Sequence, residues 1–393
     1  MSGGTETQKG WVGMSANTET KRYLGIRHRI KQTKEGDAHP TEVCISVEGE
    51  ERRLNLEDEQ DELDFLLGKG EGLKAGDVVG MMLGGSGDYF SYALARRGEE
   101  IGAEVHRIPP FLLKAKRGSD DMTNDAPLLA GLVEREPSLF YPVYLRERSQ
   151  IGVRELLNVR LDAMKARIAC EQRLRQRLIG EIFCNPEGRY PEGSLEKIFD
   201  ERKANDRILI ALEEEEGFSE KKLTKAVEQL AIYKALRSEV TGLGPMIATR
   251  LICAIQDIRR FSTAAKLKAF CSVHVLKDGR FARSRTGENC NWHPGARQAL
   301  YLLADQFNRQ AKAGTKWGDY LILCKKRLRE RHPVKEQVEK LVKGKMKKVW
   351  IYTDGHIHKM GIWRCLTRFV EWLFMAWWKL ERETEAVEQK KAA

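Results

Sequence analysis

Short apolar runs separated by polar turns dominate the first third of the chain. Residues 23–26, 42–47 and 53–56 are rich in aliphatic side chains and predict a meander of three strands. A predicted helix at 57–67 follows, and the nearly continuous apolar run at 77–83 predicts a buried strand. Antiparallel strands come first here, and helices and strands alternate after them.

The next elements extend this alternation. A glycine loop at 84–87 leads into a predicted helix at 89–100, and a strand at 104–108 comes next. The loop has neither the lysine of a P-loop nor the spacing of a dinucleotide fingerprint, which argues against a nucleotide site. The pattern predicts an α/β domain of ribonuclease H topology over residues 21–141.

The apolar spacing becomes helical over residues 142–240. Leucine, valine and isoleucine recur every three or four residues among many charges, and a Pro- and Gly-containing loop at 184–193 interrupts the pattern. This predicts a central helical coiled-coil hairpin. Such helices either dimerise the protein or pack within one chain, and the pattern does not separate the two.

A glycine turn opens the next segment, residues 241–310. Gly242 and Gly244 stand in the run Val-Thr-Gly-Leu-Gly-Pro, between two helical patterns. Such a turn exposes backbone N–H groups at a helix start, where a nucleic-acid phosphate can be seated. We interpret the segment as a mostly α helix-hairpin-helix domain; a glycine-capped turn in an ordinary helical domain is the alternative.

The last segment, 311–393, is a basic and tryptophan-rich extension. Its aromatic and aliphatic side chains follow helical spacing, which favours packing over base stacking: Trp363, Phe369, Val370, Leu373 and Trp377. His356 and His358 form an HxH pair. They either bind a metal or, as we favour, form hydrogen bonds at a packed helix start.

Charge favours a polyanionic partner. The formal net charge is +11, and the basic run at 312–348 is interleaved with tryptophan and tyrosine. An acidic run at 48–71 is interpreted as an exposed helix. The predicted nucleic-acid-binding residues are Gly242, Gly244, Arg250, Arg259, Arg260, Lys266, Arg280, Arg283, Arg285, Lys325, Lys326 and Arg327.

Cysteine usage and hydropathy indicate a cytoplasmic protein with no membrane partner. The eight cysteines contain no CxxC pair and are predicted to be reduced core residues. No apolar span approaches about 20 residues. Residues 1–20 are polar, lack a signal-peptide pattern and are predicted to form a disordered tail.

Several motifs together resemble the IS 110 family of insertion-sequence transposases. They are the glycine turn, the Ile-Gln-Asp-Ile-Arg-Arg-Phe-Ser run at 255–262, the segment at 267–270 and the Gly-Glu-Asn-Cys-Asn-Trp-His-Pro-Gly-Ala-Arg run at 287–297. The resemblance covers residues 23–308 and is most specific from residue 241 onward. It implies a RuvC-like domain whose four acids hold Mg²⁺ and a serine that attacks DNA. It also implies DNA and a structured guide RNA as partners, and a dimer or tetramer.

The family's acids carry over incompletely. Where the first aspartate is expected, after Gly-Ile, stands Arg27, whose guanidinium would repel a cation. The glutamate position falls on Gly84, with Asp88 as the nearest substitute. Asp125 matches the last acid, and its expected partner position is Met122.

The remaining candidates are substitutes from neighbouring positions. Asp120 and Asp121 lie close to Met122, and Asp121 with Asp125 is the predicted metal pair. The family's serine falls on Asp278, and the closest hydroxyls are those of Ser284 and Ser272. Ser284 is the candidate nucleophile. Arg280, Arg283 and Arg285 would then hold the phosphate; a basic surface loop is the alternative that we favour.

The combined interpretation is a nucleic-acid-binding protein on a transposase scaffold, with its chemistry impaired or lost. One alternative is an active recombinase that uses Asp88, Asp121, Asp125 and Ser284 with Mg²⁺. Another is a domesticated DNA- or RNA-binding regulator. A third is an assembly protein whose tryptophan-rich end docks a partner.

Overall fold

The computed structural model describes residues 21–30, 38–276, 280–283, 291–311, 314–342 and 345–392. The chain divides into two compact units, residues 1–143 and 144–393. The predicted tail at 1–20 lies outside the described residues.

A six-stranded mixed sheet forms the first unit, in the order β3-β2-β1-β4-β5-β6. Strands β1, β2 and β3 pair antiparallel, β1, β4 and β5 pair parallel, and β6 closes antiparallel on β5. The strands are β1 Tyr23–Arg27, β2 Thr41–Val47, β3 Glu50–Leu56, β4 Val78–Met82, β5 Glu104–Ile108 and β6 Tyr141–Pro142. The predicted meander and the α/β layout are confirmed.

Four helices cover this sheet: α1 Glu59–Leu66, α2 Asp88–Ile101, α3 Pro110–Arg117 and α4 Asp125–Arg135. Helix α4 crosses β1 at Gly25, where an added Cβ would lie 1.9 Å from the Ala126 carbonyl oxygen and 2.4 Å from the Ala130 nitrogen. Only glycine permits this approach. The approach sets the first residue of α4, Asp125, near the end of β1.

The second unit is largely helical. Its helices are α5 Leu145–Phe183, α6 Leu195–Asn205, α7 Arg207–Val227, α8 Ala231–Glu239, α9 Pro245–Ile255, α10 Ala264–Phe270, α11 Pro294–Arg309, α12 Lys316–Arg331 and α13 Asp354–Ala392. Between α12 and α13 lies an antiparallel hairpin of β7 Glu336–Val342 and β8 Lys345–Ile351.

The long helices α5 and α7 pack side by side within one chain. Leu174 of α5 shares an apolar cluster with Leu209 of α7, whereas Leu157 shares another with Leu223, so the helices run antiparallel. Between these clusters Arg160 pairs with Glu216 at 2.9 Å. Packing within the chain, one of the two alternatives, is therefore observed; dimerisation stays a prediction.

One apolar core joins α5 and α7–α13. The side chains of Phe369, Val370, Leu373 and Trp377 on α13 are fully buried in it. The predicted packing role of these side chains is confirmed. Burial of such large side chains stabilises the fold by roughly 2 kcal/mol each.

The cysteines match the prediction where the structure describes them. Seven are free, and five of those are buried: Cys44, Cys253, Cys271, Cys324 and Cys365. Cys290 lies outside the described residues. Over the described ranges, no helix is long and apolar enough to cross a membrane.

Candidate nucleic-acid interface

A cleft opens in the first unit where the parallel strands β1 and β4 end. Arg27 and His28 line it at the end of β1, Met82 and Gly84 at the end of β4, and Asp125 from the start of α4. Aliphatic and methionine side chains form much of the remaining wall. The carboxyl ends of parallel strands are where ligands bind in α/β sheets.

Arg27 occupies the position at which the resemblance places a metal-binding aspartate. Its Nη1 donates to both carboxylate oxygens of Glu42 on the paired strand β2, at 2.9 and 3.1 Å. The Arg27 side chain is 15% exposed. A half-buried arginine, paired with Glu42, thus lines the cleft at the end of β1.

Asp88 is buried at the start of α2. It accepts a hydrogen bond from Arg107 Nη1 at 3.0 Å and one from the Gly84 backbone N–H at 3.2 Å. Both members of the Asp88–Arg107 pair are at most 5% exposed. The pair balances charge in a region from which water is excluded.

Asp125 is held by a second arginine. Arg117 Nε donates to Oδ1 at 2.7 Å and Nη2 to Oδ2 at 3.0 Å, which is a bidentate pair. Burial raises the pKa of Asp125, and Arg117 offsets only part of this effect. Asp121 is exposed and accepts from the Thr123 backbone N–H and hydroxyl, which lower its pKa.

These residues do not fit a divalent cation. Mg²⁺ takes carboxylate oxygens as ligands, whereas Asp88 and Asp125 are each engaged by an arginine. The arginine at position 27 supplies no carboxylate, and it pairs with Glu42. Among the described residues, no three His, Cys, Asp or Glu side chains group so as to hold a metal. Metal binding by Asp121 and Asp125 stays a prediction, and the ion pair between Arg117 and Asp125 argues against it.

The glycine turn of the second unit joins α8 to α9, as predicted. Gly242 has φ +87°, and a Cβ there would lie 2.9 Å from the Gln306 Cβ of α11. Gly244 precedes Pro245 with φ −70° and faces open space. Leu243 between them is buried. The turn is thus anchored by its middle residue and leaves Gly244 accessible.

The basic residues after the turn have different environments. Arg250 is half-buried on α9, its pKa lowered by burial and by Arg160. Lys266 is exposed on α10. Arg260 donates to the Ile255 carbonyl oxygen at 2.9 Å and lies over the rings of Phe261 and Phe270.

Arg259 lies inside the second unit, 2% exposed. Its guanidinium pairs with Asp257 at 2.7 Å, Glu147 at 3.1 Å and Glu385 at 3.1 Å. Its guanidinium N–H groups donate to these three carboxylates, so Arg259 joins α5 and α13 to the segment after α9. Its predicted contact with nucleic acid is opposed by this burial.

Two of the three predicted arginines in the loop before α11 can be placed. Arg280 and Arg283 are exposed, beside an antiparallel bridge between Val275 and Phe281. Ser284 and Arg285 lie outside the described residues. The predicted nucleophile therefore stays a prediction.

A groove beside that bridge brings together residues that sequence reasoning found only in part. Its walls are Val275, Phe281, Tyr320, Cys324, Arg327, Arg364 and Thr367. Arg327 belongs to the predicted set, whereas Arg364, Tyr320 and Thr367 were not identified as site residues. Neither Arg327 nor Arg364 forms an ion pair with a residue that the structure describes. The groove, of 390 Å³, thus presents two cations and two aromatic rings.

The other predicted residues of α12 lie next to this groove. Lys325 Nζ donates to the Asn308 side-chain oxygen at 2.7 Å, and burial lowers its pKa. Lys326 is exposed. An added Cβ on Gly361 of α13 would lie 2.9 Å from the Lys325 Cγ, so this glycine permits α12 and α13 to pack closely.

The HxH pair lies at the start of α13. His356 Nδ1 accepts from the Tyr352 backbone N–H at 3.0 Å, and the two rings stack. This confirms the hydrogen-bonding alternative for His356. Burial lowers the pKa of His358.

Residues 234–316 match the model of the Transposase IS116/IS110/IS902 family. The match runs from α8 to the start of α12 and includes the glycine turn and the arginines that follow it. No curated protein matches the chain. The family resemblance of this segment is confirmed.

Proposed function

Since the chain carries a transposase domain of the IS116/IS110/IS902 family, we propose that it binds DNA through its second unit and acts in DNA transposition or a process derived from it. We propose further that the cleft of the first unit does not cleave DNA with Mg²⁺. The observation that carries this second statement is that Arg117 engages Asp125 in the cleft that Arg27 also lines. Asp88 is buried against Arg107 and is not among the residues that line the cleft.

The strand order supports a RuvC-like first unit. A three-strand antiparallel meander continued by two parallel strands is the ribonuclease H arrangement that the resemblance implies. In such a unit, Arg27 at the end of β1 would stand among the catalytic positions. Fold alone does not establish chemistry, so we base the proposal on the side chains.

The groove between α12 and α13 supports the DNA-binding role. Arg327 and Arg364 supply donors for phosphate oxygens, and Phe281 and Tyr320 supply aromatic surface. The groove adjoins the family-matched segment, whose α11 contacts both helices through the core. Binding of this kind is governed by charge and weakens as salt rises.

The DNA-binding role is tested with the double variant Arg327→Gln/Arg364→Gln. Its affinity for duplex DNA, measured by fluorescence anisotropy, should fall roughly ten-fold at low salt because two phosphate contacts are lost. Arg173→Gln/Arg177→Gln, on the exposed face of α5, removes equal charge and should bind like the parent. Equal losses in both variants would contradict a role for the groove.

The proposal that the cleft holds no catalytic Mg²⁺ is tested by titrating Mn²⁺ into the full-length protein. Mn²⁺ substitutes for Mg²⁺ and has an electron paramagnetic resonance signal. We expect the same weak binding in the parent and in Asp125→Asn, because Arg117 already occupies that carboxylate. Tight binding that Asp125→Asn abolishes would establish a metal site and support the active recombinase.

We also propose that a structured guide RNA is bound, as the resemblance implies, and that the protein forms a dimer or tetramer in the cytoplasm. Sequencing of the RNA that co-purifies from native cells tests the first point. One dominant structured RNA encoded beside the gene would support it, and scattered fragments would oppose it.

A further inference from the structure

The β7–β8 hairpin is a two-stranded sheet with no third strand among the described residues. Its register pairs Gln337 with Trp350 and Glu339 with Lys348. The side chains of Lys347 and Lys348 are exposed, and Trp350 is 57% exposed. Isolated two-stranded ribbons are marginally stable in water, so such a ribbon gains stability from a partner.

The base of the hairpin is held by the end of α12. Arg329 Nη1 donates to the Tyr352 carbonyl oxygen at 3.0 Å, and Arg329 also pairs with Asp354. The His332 ring stacks on Tyr352 with ring centroids 3.7 Å apart. These contacts fix the direction in which β8 leaves the helical core.

The charge of the ribbon indicates its partner. Residues 336–351 contain five lysines against two glutamates. On β8, alternation places Lys348 on one face with Trp350, and Lys347 on the other face. Lysines along a strand discourage pairing with a second copy of the same strand, because equal charges would meet.

We propose that this hairpin is a β-ribbon arm that binds duplex DNA, with Lys347 and Lys348 contacting phosphates and Trp350 contacting a groove edge. The major groove of DNA, about 12 Å wide, admits a two-stranded ribbon. The inference rests on the proposed DNA-binding function and extends it to a second surface, separate in sequence from the family-matched segment.

The test is DNA binding by full-length variants over a range of salt concentrations. Lys347→Gln/Lys348→Gln should weaken binding roughly ten-fold and reduce the slope of log affinity against log salt by about two, because two phosphate contacts are lost. Lys197→Gln/Lys221→Gln removes equal charge from exposed positions on α6 and α7 and should leave affinity and slope unchanged.

Two single variants make the test more specific. Glu339→Gln removes the acid opposite Lys348 and should tighten binding. Trp350→Ala should weaken binding without changing the salt slope, because no charge is lost. Circular dichroism and thermal melting establish that each variant is folded.

The results separate this inference from the proposed function. If the parent binds no DNA, the proposed function fails. If the groove variant Arg327→Gln/Arg364→Gln loses affinity while the hairpin variants do not, only the β-ribbon inference fails. A change in oligomeric state with Trp350→Ala, at unchanged DNA affinity, would identify the hairpin as a contact between copies and also overturn it.

Discussion

Buried carboxylates in both units are paired with arginine side chains. In the first unit Arg107 and Arg117 engage Asp88 and Asp125. In the second, Arg259 engages several acids at once. A buried charge without a partner is costly, so removing either member of such a pair destabilises the fold.

Glu381 is a buried acid beside this second network, close enough to Arg259 and Asp257 for their charges to act on its pKa. It accepts a hydrogen bond from Trp377 Nε1 at 2.9 Å and pairs with Arg146 at 3.0 Å. Burial, together with the nearby Asp257, raises the pKa of Glu381 to about 7, although Arg259 and Arg146 oppose the shift. The folded protein therefore holds this proton more tightly than the unfolded chain, where a glutamate titrates near pH 4.3.

This shift predicts a pH dependence of stability. The contribution of Glu381 to the free energy of unfolding is fully present below about pH 4.3 and is lost as pH rises to about 7, by roughly 3 kcal/mol. Glu381→Gln cannot ionise, so urea unfolding at pH 5 and pH 8 should differ less in this variant than in the parent. Glu383→Gln, an exposed neighbour, should behave like the parent. Equal pH dependence in all three proteins would contradict the assignment.

At the scale of elements, the α8–α9 turn shows why two glycines in one motif differ in role. Gly242 combines a left-handed backbone with close contact to α11, whereas Gly244 has an ordinary backbone and open space around its Cα. The first glycine is required by the fold. The second has room for a side chain.

We expect Gly242→Ala to lower the free energy of unfolding by about 1–3 kcal/mol, because alanine is strained at φ +87°. Gly244→Ala should cost at most about 1 kcal/mol, since only the helix cap changes. Chemical denaturation of both variants checks this. Equal losses would show that the turn tolerates a side chain at Gly242.

At the scale of the whole molecule, the two units have separate apolar cores. One core lies between the mixed sheet and its helices, and the other lies among the helices of residues 144–393. Units with their own cores can unfold as independent cooperative transitions.

Differential scanning calorimetry with one variant per unit tests this independence. Gly25→Ala introduces a Cβ that clashes with the backbone of α4, and it should lower the transition temperature of the first unit only. Trp377→Ala removes a fully buried side chain and should lower the transition temperature of the second unit only. The expected loss in its free energy of unfolding is about 3–5 kcal/mol. A single transition that both variants shift together would contradict separate unfolding.

Much of the element order could be predicted because it follows from local patterns. The strand meander, the long helices, the glycine turn and the packed aromatic stripe of α13 each reflect the spacing of apolar and turn residues that are close along the chain. The interruption between α12 and α13 was not predicted as a hairpin. Lysines interrupt the alternation of apolar and polar residues in these strands, and a run of lysines predicts a solvated segment.

The candidate sites depended more on tertiary structure. The sequence by itself determined that Arg27 stands where an acid is expected and that the chain is basic. Only the tertiary structure decided which charged side chains are neighbours. Arg259 contacts Glu147 and Glu385, which are 112 and 126 residues away along the chain. Arg364 of α13 and Arg327 of α12 line the same groove. Electrostatic partners are chosen by distance in space and by burial, and neither quantity is encoded in the spacing of residues along the chain.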